Sequence, residues 1–234
     1  MQSLNDGFRA VVLGASGTLG AAFVAALQAN PRCAGVVAIS RGDGLHLEEE
    51  STLHAAAADC AQGAPFQLII DATGALTIDG HGPEKHLGAL DAMQLARQFQ
   101  VNTIGPALLL KHFAPLLDAQ QRAIYAKLSA RVGSIADNRL GGWYGYRAAK
   151  VALNMVLQTA AIELARRKPL AVVAAMQPGT VASKLTQAFV NAQDCIDAAT
   201  SVRGLLNALD ALPAPIKGHA HAHFVDYQGR SIPW

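Results

Sequence analysis

Short apolar runs alternate along the chain with longer segments rich in Ala and Leu. The runs at 8–13, 35–40, 66–70, 171–175 and 223–227 predict buried strands. The segments at 21–29, 50–62, 90–117 and from Tyr146 onward predict helices. Strands that alternate with helices predict one doubly wound α/β domain over residues 1–234, with a parallel sheet and helices on both faces.

The region between the second and fourth predicted strands has the least regular pattern. A strand at 52–60 would leave only five residues before the next apolar run at 66, and a parallel crossover needs about a dozen. We therefore predict a short edge strand at 45–48, followed by a crossover helix at 50–62. Glu48 is then expected near the adenine of a bound nucleotide.

The segment GASGTLG lies between the first predicted strand and the first predicted helix. Gly14 permits a tight turn, Gly17 lets backbone N–H groups approach a pyrophosphate, and Gly20 lets the helix lie close to the sheet. This order is typical of a Rossmann-type dinucleotide-binding unit. The cofactor-binding residues expected here are Gly14, Ser16, Gly17, Thr18, Leu19 and Gly20.

Ser40 and Arg41 follow the second predicted strand. An acidic residue at this point would bind the ribose hydroxyls of NAD(H), whereas Arg attracts the 2′-phosphate of NADP(H). The pattern therefore favours NADP(H), and a simple solvated charge is the alternative. The turn DATG after the run at 66–70 is expected beside the same cofactor, through Ala72, Thr73 and Gly74.

Composition narrows the class of protein. A hydrophobic content of 51% with 15% charged residues indicates a large core, and a net charge of +2 favours neither nucleic acid nor a membrane surface as partner. Three widely spaced cysteines and no signal-peptide pattern predict a cytoplasmic protein. The alternating histidines of HAHAH lack a neighbouring Cys or acidic cluster, so no metal site is predicted.

Tyr146 and Lys150 carry the candidate chemistry. Their spacing of four residues places a phenol and an ammonium on one helical face. A nearby cation lowers the pKa of a phenol and makes it a better proton donor, although such a pair also occurs on ordinary helix surfaces. Asn102 is a polar residue inside a largely apolar helix, where it can hold a water or a backbone group.

Several of these motifs occur together in the order of a known family. The chain resembles the short-chain dehydrogenase/reductases, and within them the C-factor-like and sniffer-like carbonyl reductases. The motifs that carry the resemblance are GASGTLG, DATG, PEKHL, VNTIG, SARVGSI, NRLGGWYGYRAAKVALN, PGTVAS and FVDYQGRSIPW.

The resemblance implies roles for individual residues. Tyr146 matches the family's general acid/base, Lys150 matches the lysine that lowers its pKa and holds the nicotinamide ribose, and Asn102 matches the asparagine of the proton relay. The turn that seats the nicotinamide carboxamide matches Pro178, Gly179 and Val181.

Three departures from the family pattern stand out. Thr18 replaces the middle glycine of the usual loop. Asp71 stands where the family has Asn, and an ionised, unpaired carboxylate there is expected to weaken cofactor binding. Ala130 occupies the position of the catalytic serine, which leaves Ser129 and Ser134 as candidates for that role.

These observations predict an NADP(H)-dependent oxidoreductase that interconverts a small carbonyl compound and its alcohol. A non-catalytic NADP-binding regulator that keeps the fold is the alternative. The apolar helices around Asn102 and after Tyr146 match those with which the family forms dimers and tetramers, so a homodimer or homotetramer is expected.

Overall fold

The computed structural model describes residues 1–183, 193, 195–216 and 218–234. Within them, six parallel strands form one sheet in the order β2-β1-β3-β4-β5-β6. The strands are β1 (Phe8–Leu13), β2 (Cys33–Ile39), β3 (Leu68–Asp71), β4 (Ala123–Leu128), β5 (Ala171–Gln177) and β6 (His223–Asp226). The chain therefore starts inside the sheet, builds one edge with β2, and crosses back over β1 to build the other side.

Helices cover both faces of this sheet. They are α1 (Thr18–Gln28), α2 (Glu50–Ala61), α3 (Ala92–Phe99), α4 (Gly105–Phe113), α5 (Tyr144–Arg167) and α6 (Ala198–Ala211). Alternate residues of β1 point to opposite faces, so Val12 packs with the α1 and α6 side chains and Val11 with those of α2, α4 and α5. The predicted doubly wound α/β class is confirmed.

The edge strand predicted at 45–48 is wrong, because these residues form no ladder. The backbone of His46 bonds instead to the Thr52 hydroxyl, which accepts from the His46 N–H and donates to the His46 carbonyl, both at 3.1 Å. Leu45 is buried in the core on the α2 side. The crossover helix predicted at 50–62 is confirmed as α2, and β2 is the edge strand.

The helix predicted over 90–117 is interrupted by a π-helical turn, Gln100–Ile104, between α3 and α4. Pro106 has no N–H to give to the Asn102 carbonyl four residues earlier, and its ring would crowd that carbonyl in an α-helix. The hydroxyl of Thr103 bonds outward to the Ala149 carbonyl at 2.7 Å. Such turns often lie at functional sites, and this one contains Asn102.

Helix α5 is the longest element among the described residues, at 24 residues. It is long and apolar enough to meet the length and hydropathy criteria for a membrane span. One face of it, which includes Leu153 and Leu157, is buried in the core on the α2 and α4 side of the sheet. We therefore interpret α5 as a core helix.

Candidate active site

A cleft of about 610 Å³ opens at the carboxyl edge of the sheet. Because all the strands are parallel, the turns that follow β1, β3, β4 and β5 meet at this edge. The described lining comprises Ser16 to Gly20, Ala72 to Leu76, Leu128 to Val132, Trp143, Tyr146, Lys150, Gln177 to Val181, and Ser183. Most of the site residues predicted from the sequence lie in these segments.

The glycine turn after β1 forms one end of the cleft. Gly14 has a φ of +79°, and a Cβ there would lie 3.1 Å from the Thr73 nitrogen. A Cβ on Gly20 would overlap the Gly14 carbonyl oxygen. Helix α1 starts directly after Gly17 without a side-chain cap, so its first N–H groups are available to an anion. The turn thus has the close packing and the uncapped helix start that the sequence predicted for a pyrophosphate cradle.

Ser40 and Arg41 lie at the end of β2, outside the described lining of the cleft. The backbone N–H groups of Gly14 and Ala15 donate to the Ile39 carbonyl, which brings this strand end against the glycine turn. The Ser40 hydroxyl is already bound, because it donates to the Asp43 carboxylate at 2.7 Å. Sequence analysis missed Asp43, although the Ser-x-x-Asp spacing of a capping box could have revealed it.

Tyr146 and Lys150 are buried side by side on α5, and both line the cleft. The Lys150 ammonium lies 5.6 Å from the centroid of the Tyr146 ring and donates to the Leu128 carbonyl at 3.3 Å. Burial raises the pKa of Tyr146, opposite to the lowering that its pairing with Lys150 predicts, because the described residues supply the phenol with no hydrogen-bonded cation. Burial, and secondly the Lys127 charge, lower the pKa of Lys150 to about 7.

Asn102 is fully buried behind the cleft and clamps the chain after β3. Its side chain accepts from the Ala75 N–H at 3.1 Å, donates to the Ala75 carbonyl at 2.8 Å, and donates to the Gln98 side chain at 2.8 Å. The backbone of Ala75 is thus the kind of partner, a backbone group, that the sequence allowed for this amide. Asn102 thereby fixes the segment that contains Gly74.

The two candidate serines differ in position. Ser129 lines the cleft, and its hydroxyl donates to the Asn154 side chain at 2.7 Å. Ser134 is buried outside the described lining, where its hydroxyl accepts from the Asp137 N–H at 3.1 Å. Ala130 lines the cleft with a methyl group. The structure therefore brings Ser129 to the site and leaves Ser134 out of it.

Asp71 is paired, so the condition under which it was expected to weaken cofactor binding, an unpaired carboxylate, is not met. Asp71 and Lys127 are both fully buried, and the Lys127 ammonium lies 3.0 Å from the Asp71 carboxylate. Sequence analysis missed Lys127 because it falls within an apolar run. A lysine inside an apolar run, which the structure shows to be the central strand β4, was the signal that a buried acidic partner existed.

The turn after β5 forms the other end of the cleft, through Pro178, Gly179 and Val181. The Ser201 hydroxyl of α6 donates to the Pro178 carbonyl at 2.6 Å and fixes this turn against the helix. The predicted nicotinamide-binding residues therefore share one cleft with Tyr146. Residues 184–192 and 194 lie outside the described part of the chain.

The start of α5 depends on Glu84, which sequence analysis also missed. Trp143 immediately precedes the helix in the left-handed conformation, with φ +56°. Its N–H donates to the Glu84 carbonyl at 2.5 Å, and the Gly145 N–H donates to the Glu84 carboxylate at 3.0 Å. The Trp143 ring meets the Tyr146 ring edge-on at 6.2 Å. Glu84 thus holds both the residue that precedes this helix and the second residue of its first turn.

Comparisons with known proteins agree with this geometry. The protein-family model described as short chain dehydrogenase matches residues 9–194. The C-signal protein of Myxococcus xanthus is 34% identical over 149 residues, which cover 63% of this chain and 83% of that protein. A 1-hydroxy-2-glutathionyl-2-methyl-3-butene dehydrogenase of Rhodococcus sp. strain AD45 is 29% identical over 192 residues, which cover 82% of this chain and 79% of that enzyme.

Solved structures share the fold over nearly the whole chain. An NADPH-bound carbonyl reductase from chicken fatty liver superposes with a TM-score of 0.80 at 21% identity, covering 99% of this chain and all of that one. The carbonyl reductase Sniffer of D. melanogaster also gives a TM-score of 0.80, at 19% identity, covering 97% of this chain and 99% of that one.

Proposed function

Because the chain belongs to the short-chain dehydrogenase/reductase family, and is thus an enzyme of that class, we propose that it transfers a hydride between NADP(H) and a carbonyl or alcohol substrate. The observation that carries the proposal is the placement of Tyr146 and Lys150, buried side by side in a cleft that also contains the glycine turn after β1. Both halves of the chemistry, a proton donor and a dinucleotide cradle, thus open into one space.

The residues present fit a dinucleotide. The glycine turn and the uncapped start of α1 would hold the pyrophosphate, Lys150 would hold the nicotinamide ribose, and the turn of Pro178 and Gly179 would back the ring. The bound cofactor supplies or accepts the hydride. Arg41 supports NADP(H) over NAD(H), and the similar chicken carbonyl reductase was crystallised with NADPH.

In the reductive direction, the Tyr146 hydroxyl donates its proton to the substrate oxygen as negative charge builds there. The Lys150 charge then stabilises the phenolate that remains, and a proton from solvent restores the phenol. Asn102 keeps the Ala75 backbone in place, and with it Gly74, which lies next to the Lys150 ammonium. Ser129 is the hydroxyl that we assign to the substrate oxygen, in place of the family serine that is Ala130 here.

The described lining near Tyr146 favours an uncharged substrate. Leu76, Ala130 and Val132 are apolar, and Arg131 is paired with Asp137 at 2.9 Å and with Asp226 at 3.3 Å. A substrate carboxylate would therefore find the arginine of the described lining already paired with carboxylates. We propose small, apolar aldehydes or ketones as substrates.

Substitution of Tyr146 tests the reaction. Tyr146→Phe removes the proton donor and keeps the ring, so turnover should fall roughly 10²–10⁴-fold while NADPH affinity stays nearly unchanged. The measurement is NADPH oxidation over a panel of aldehydes and ketones, beside a fluorescence titration of NADPH. Tyr144→Phe is the matched control, because Tyr144 lies on the same helix outside the described lining.

Two outcomes would contradict the proposal. Tight NADPH binding by the parent protein without turnover of any carbonyl or alcohol would favour the non-catalytic regulator. Equal turnover in Tyr146→Phe and the parent would assign the proton to another group.

We also propose that the enzyme is a cytoplasmic homodimer or homotetramer. The small net charge and the three widely spaced cysteines support the compartment. Exposed apolar side chains on the outer face of α5, namely Met155 at 65% and Ile162 at 42%, support a helical interface between copies.

A further inference from the structure

Asp71 and Lys127 stand opposite each other on the neighbouring strands β3 and β4. Their exposed side-chain fractions are 0% and 1%, and their charged atoms lie 3.0 Å apart. Removing two charges from water costs free energy that their mutual attraction only partly returns. The cost of burying this pair is offset further if its charges also bind neighbouring groups.

The pair holds Thr73, the third residue of the DATG turn. The Asp71 carboxylate accepts from the Thr73 N–H at 2.9 Å and from its hydroxyl at 2.6 Å. The Lys127 ammonium donates to the Thr73 carbonyl at 2.6 Å. All three polar groups of Thr73 are thus bound by the two charges, and the turn has no freedom to rotate.

The same turn presents Gly74 to the catalytic groups. A Cβ on Gly74 would lie 3.0 Å from the Asn102 side-chain oxygen and 3.5 Å from the Lys150 ammonium. The charge pair therefore fixes the turn through Thr73, and Asn102 fixes it through Ala75. A shift of Thr73 would change both the floor of the cleft and the surroundings of Lys150.

We propose that the buried Asp71–Lys127 ion pair is a positioning device for the cofactor site, which fixes the Thr73–Gly74 turn and places a second cation beneath Lys150. This inference rests on the proposed function. It gives a role to Asp71, the departure from the family's Asn, and to Lys127, which the sequence hides in an apolar strand. Neither residue lines the described cleft, so both act through their neighbours.

The charges around Lys150 come from three elements. Asp71 faces it from β3, Lys127 faces it from β4, and the neutral phenol of Tyr146 shares α5 with it. The buried phenol of Tyr125 on β4 interacts with Asp71. After burial, the Lys127 charge is the largest influence that lowers the pKa of Lys150, and Asp71 opposes it more weakly. Among the described residues, Lys127 is the cation bound to Asp71, and the second Asp71 oxygen has no hydrogen bond.

The experiment compares NADPH binding by the parent, Lys127→Met, Asp71→Asn and the double variant. Lys127→Met leaves a buried carboxylate without its cation and frees the Thr73 carbonyl, so the NADPH dissociation constant should rise about tenfold or more. Asp71→Asn keeps an acceptor for Thr73 and should be milder. The double variant removes both charges and should bind NADPH better than Lys127→Met alone. Lys111→Met is the control, because Lys111 pairs with Glu50 on the surface at 2.6 Å.

A pH series separates positioning from general damage. Without the Lys127 charge the pKa of Lys150 should rise, so Lys150 should stay protonated to a higher pH in Lys127→Met than in the parent. NADPH affinity, expressed as a fraction of each protein's own maximum, should therefore fall at a higher pH in the variant. Loss of folding alone would not shift this fall in NADPH affinity to a higher pH.

Two results would overturn the inference alone. The first is that Lys127→Met keeps the NADPH affinity and pH dependence of the parent. The second is that the losses of NADPH affinity in the two single variants add up to the loss in the double variant. A parent protein that binds neither NADPH nor NADH would contradict the proposed function and this inference together.

Discussion

Asp43 affects how the end of β2 would bind a phosphate. Its carboxylate binds both the Ser40 N–H and the Ser40 hydroxyl, and these bonds lower the pKa of Asp43. A negative charge therefore lies two residues from Arg41, and the Ser40 hydroxyl is engaged before any cofactor arrives. The proposed preference for NADP(H) would then depend on the attraction of the phosphate to Arg41 exceeding its repulsion by Asp43.

Opposite charge changes at these two positions should have opposite effects. Arg41→Asp should weaken NADPH binding by roughly a few-fold to a hundredfold, because it removes a charge-assisted partner and adds repulsion. Asp43→Asn keeps the side-chain oxygen of the cap and should strengthen NADPH binding. Fluorescence titrations with NADPH and NADH measure both. An equal loss for the two cofactors in Arg41→Asp would show that Arg41 does not read the phosphate.

Residues that act locally could be predicted from the sequence, and residues that act across the sheet could not. Tyr146 and Lys150 are linked by helical spacing, and the glycine turn by its flanking strand and helix. Asp71 and Lys127 are 56 positions apart and meet only through the register of β3 and β4. Ser134 is close to Tyr146 in sequence, yet the turn at 131–133 directs it into the interior.

Helix α5 is the element on which the proposed chemistry depends, and its first turn is held from outside. The Glu84 carboxylate binds the Gly145 N–H, where an anion also complements the helix dipole. Gly145 allows this close approach, since a Cβ there would lie 2.8 Å from the Glu84 carboxylate and 3.1 Å from a Leu95 methyl group. Tyr146 is the next residue along the helix.

Glu84→Ala should therefore affect both stability and turnover. Loss of this cap should lower the free energy of unfolding by about 1 kcal/mol, and turnover should fall more than NADPH affinity because Tyr146 loses its support. Glu84→Gln keeps an acceptor and should be milder. Glu49→Ala is the control, because Glu49 precedes α2 without a side-chain cap bond. Thermal unfolding and steady-state kinetics provide the two measurements, and unchanged turnover in Glu84→Ala would contradict a positioning role.

The elements in the first part of the chain were predicted by type, whereas β4 and α6 were not predicted and the interruptions of the pattern were missed. The positions of β1, β2, α1 and α2 follow from apolar runs and glycine turns. The edge strand failed because a side chain, Thr52, took the backbone bonds of His46. The break in the helix around Asn102 depends on the missing N–H of Pro106, a signal that the sequence did contain.

On the scale of the whole molecule, α5 has one face in the core and one face without a described partner. Met155 and Ile162 are seven residues apart and so share a side of the helix. Burial of such side chains between two copies would remove apolar surface from water and favour association. The sequence could indicate this apolar surplus, but only the fold shows which side of the helix faces outward.

A charge on this outer face should disrupt the proposed oligomer. Met155→Lys combined with Ile162→Lys should shift the protein toward the monomer, because a buried lysine would have no partner at the interface. Light scattering after size-exclusion chromatography measures the mass. Leu140→Lys is the control, since Leu140 is 93% exposed on the loop before α5. A parent protein that is monomeric at micromolar concentration would contradict the proposal.

The π-helical turn at Gln100–Ile104 also sets the rotational phase between α3 and α4. Each residue advances an α-helix by about 100°, and the wider π turn takes up one extra residue over about the rotation of a normal turn. A further residue inserted here would have no such turn to absorb it and would rotate α3 relative to α4 by about that angle. Leu95 and Gln98 would then leave their places beside Gly145, and Gln98 would leave Asn102. This segment should therefore tolerate substitutions far better than the insertion of a single residue, although it lies some 40 positions before the tyrosine that it helps to place.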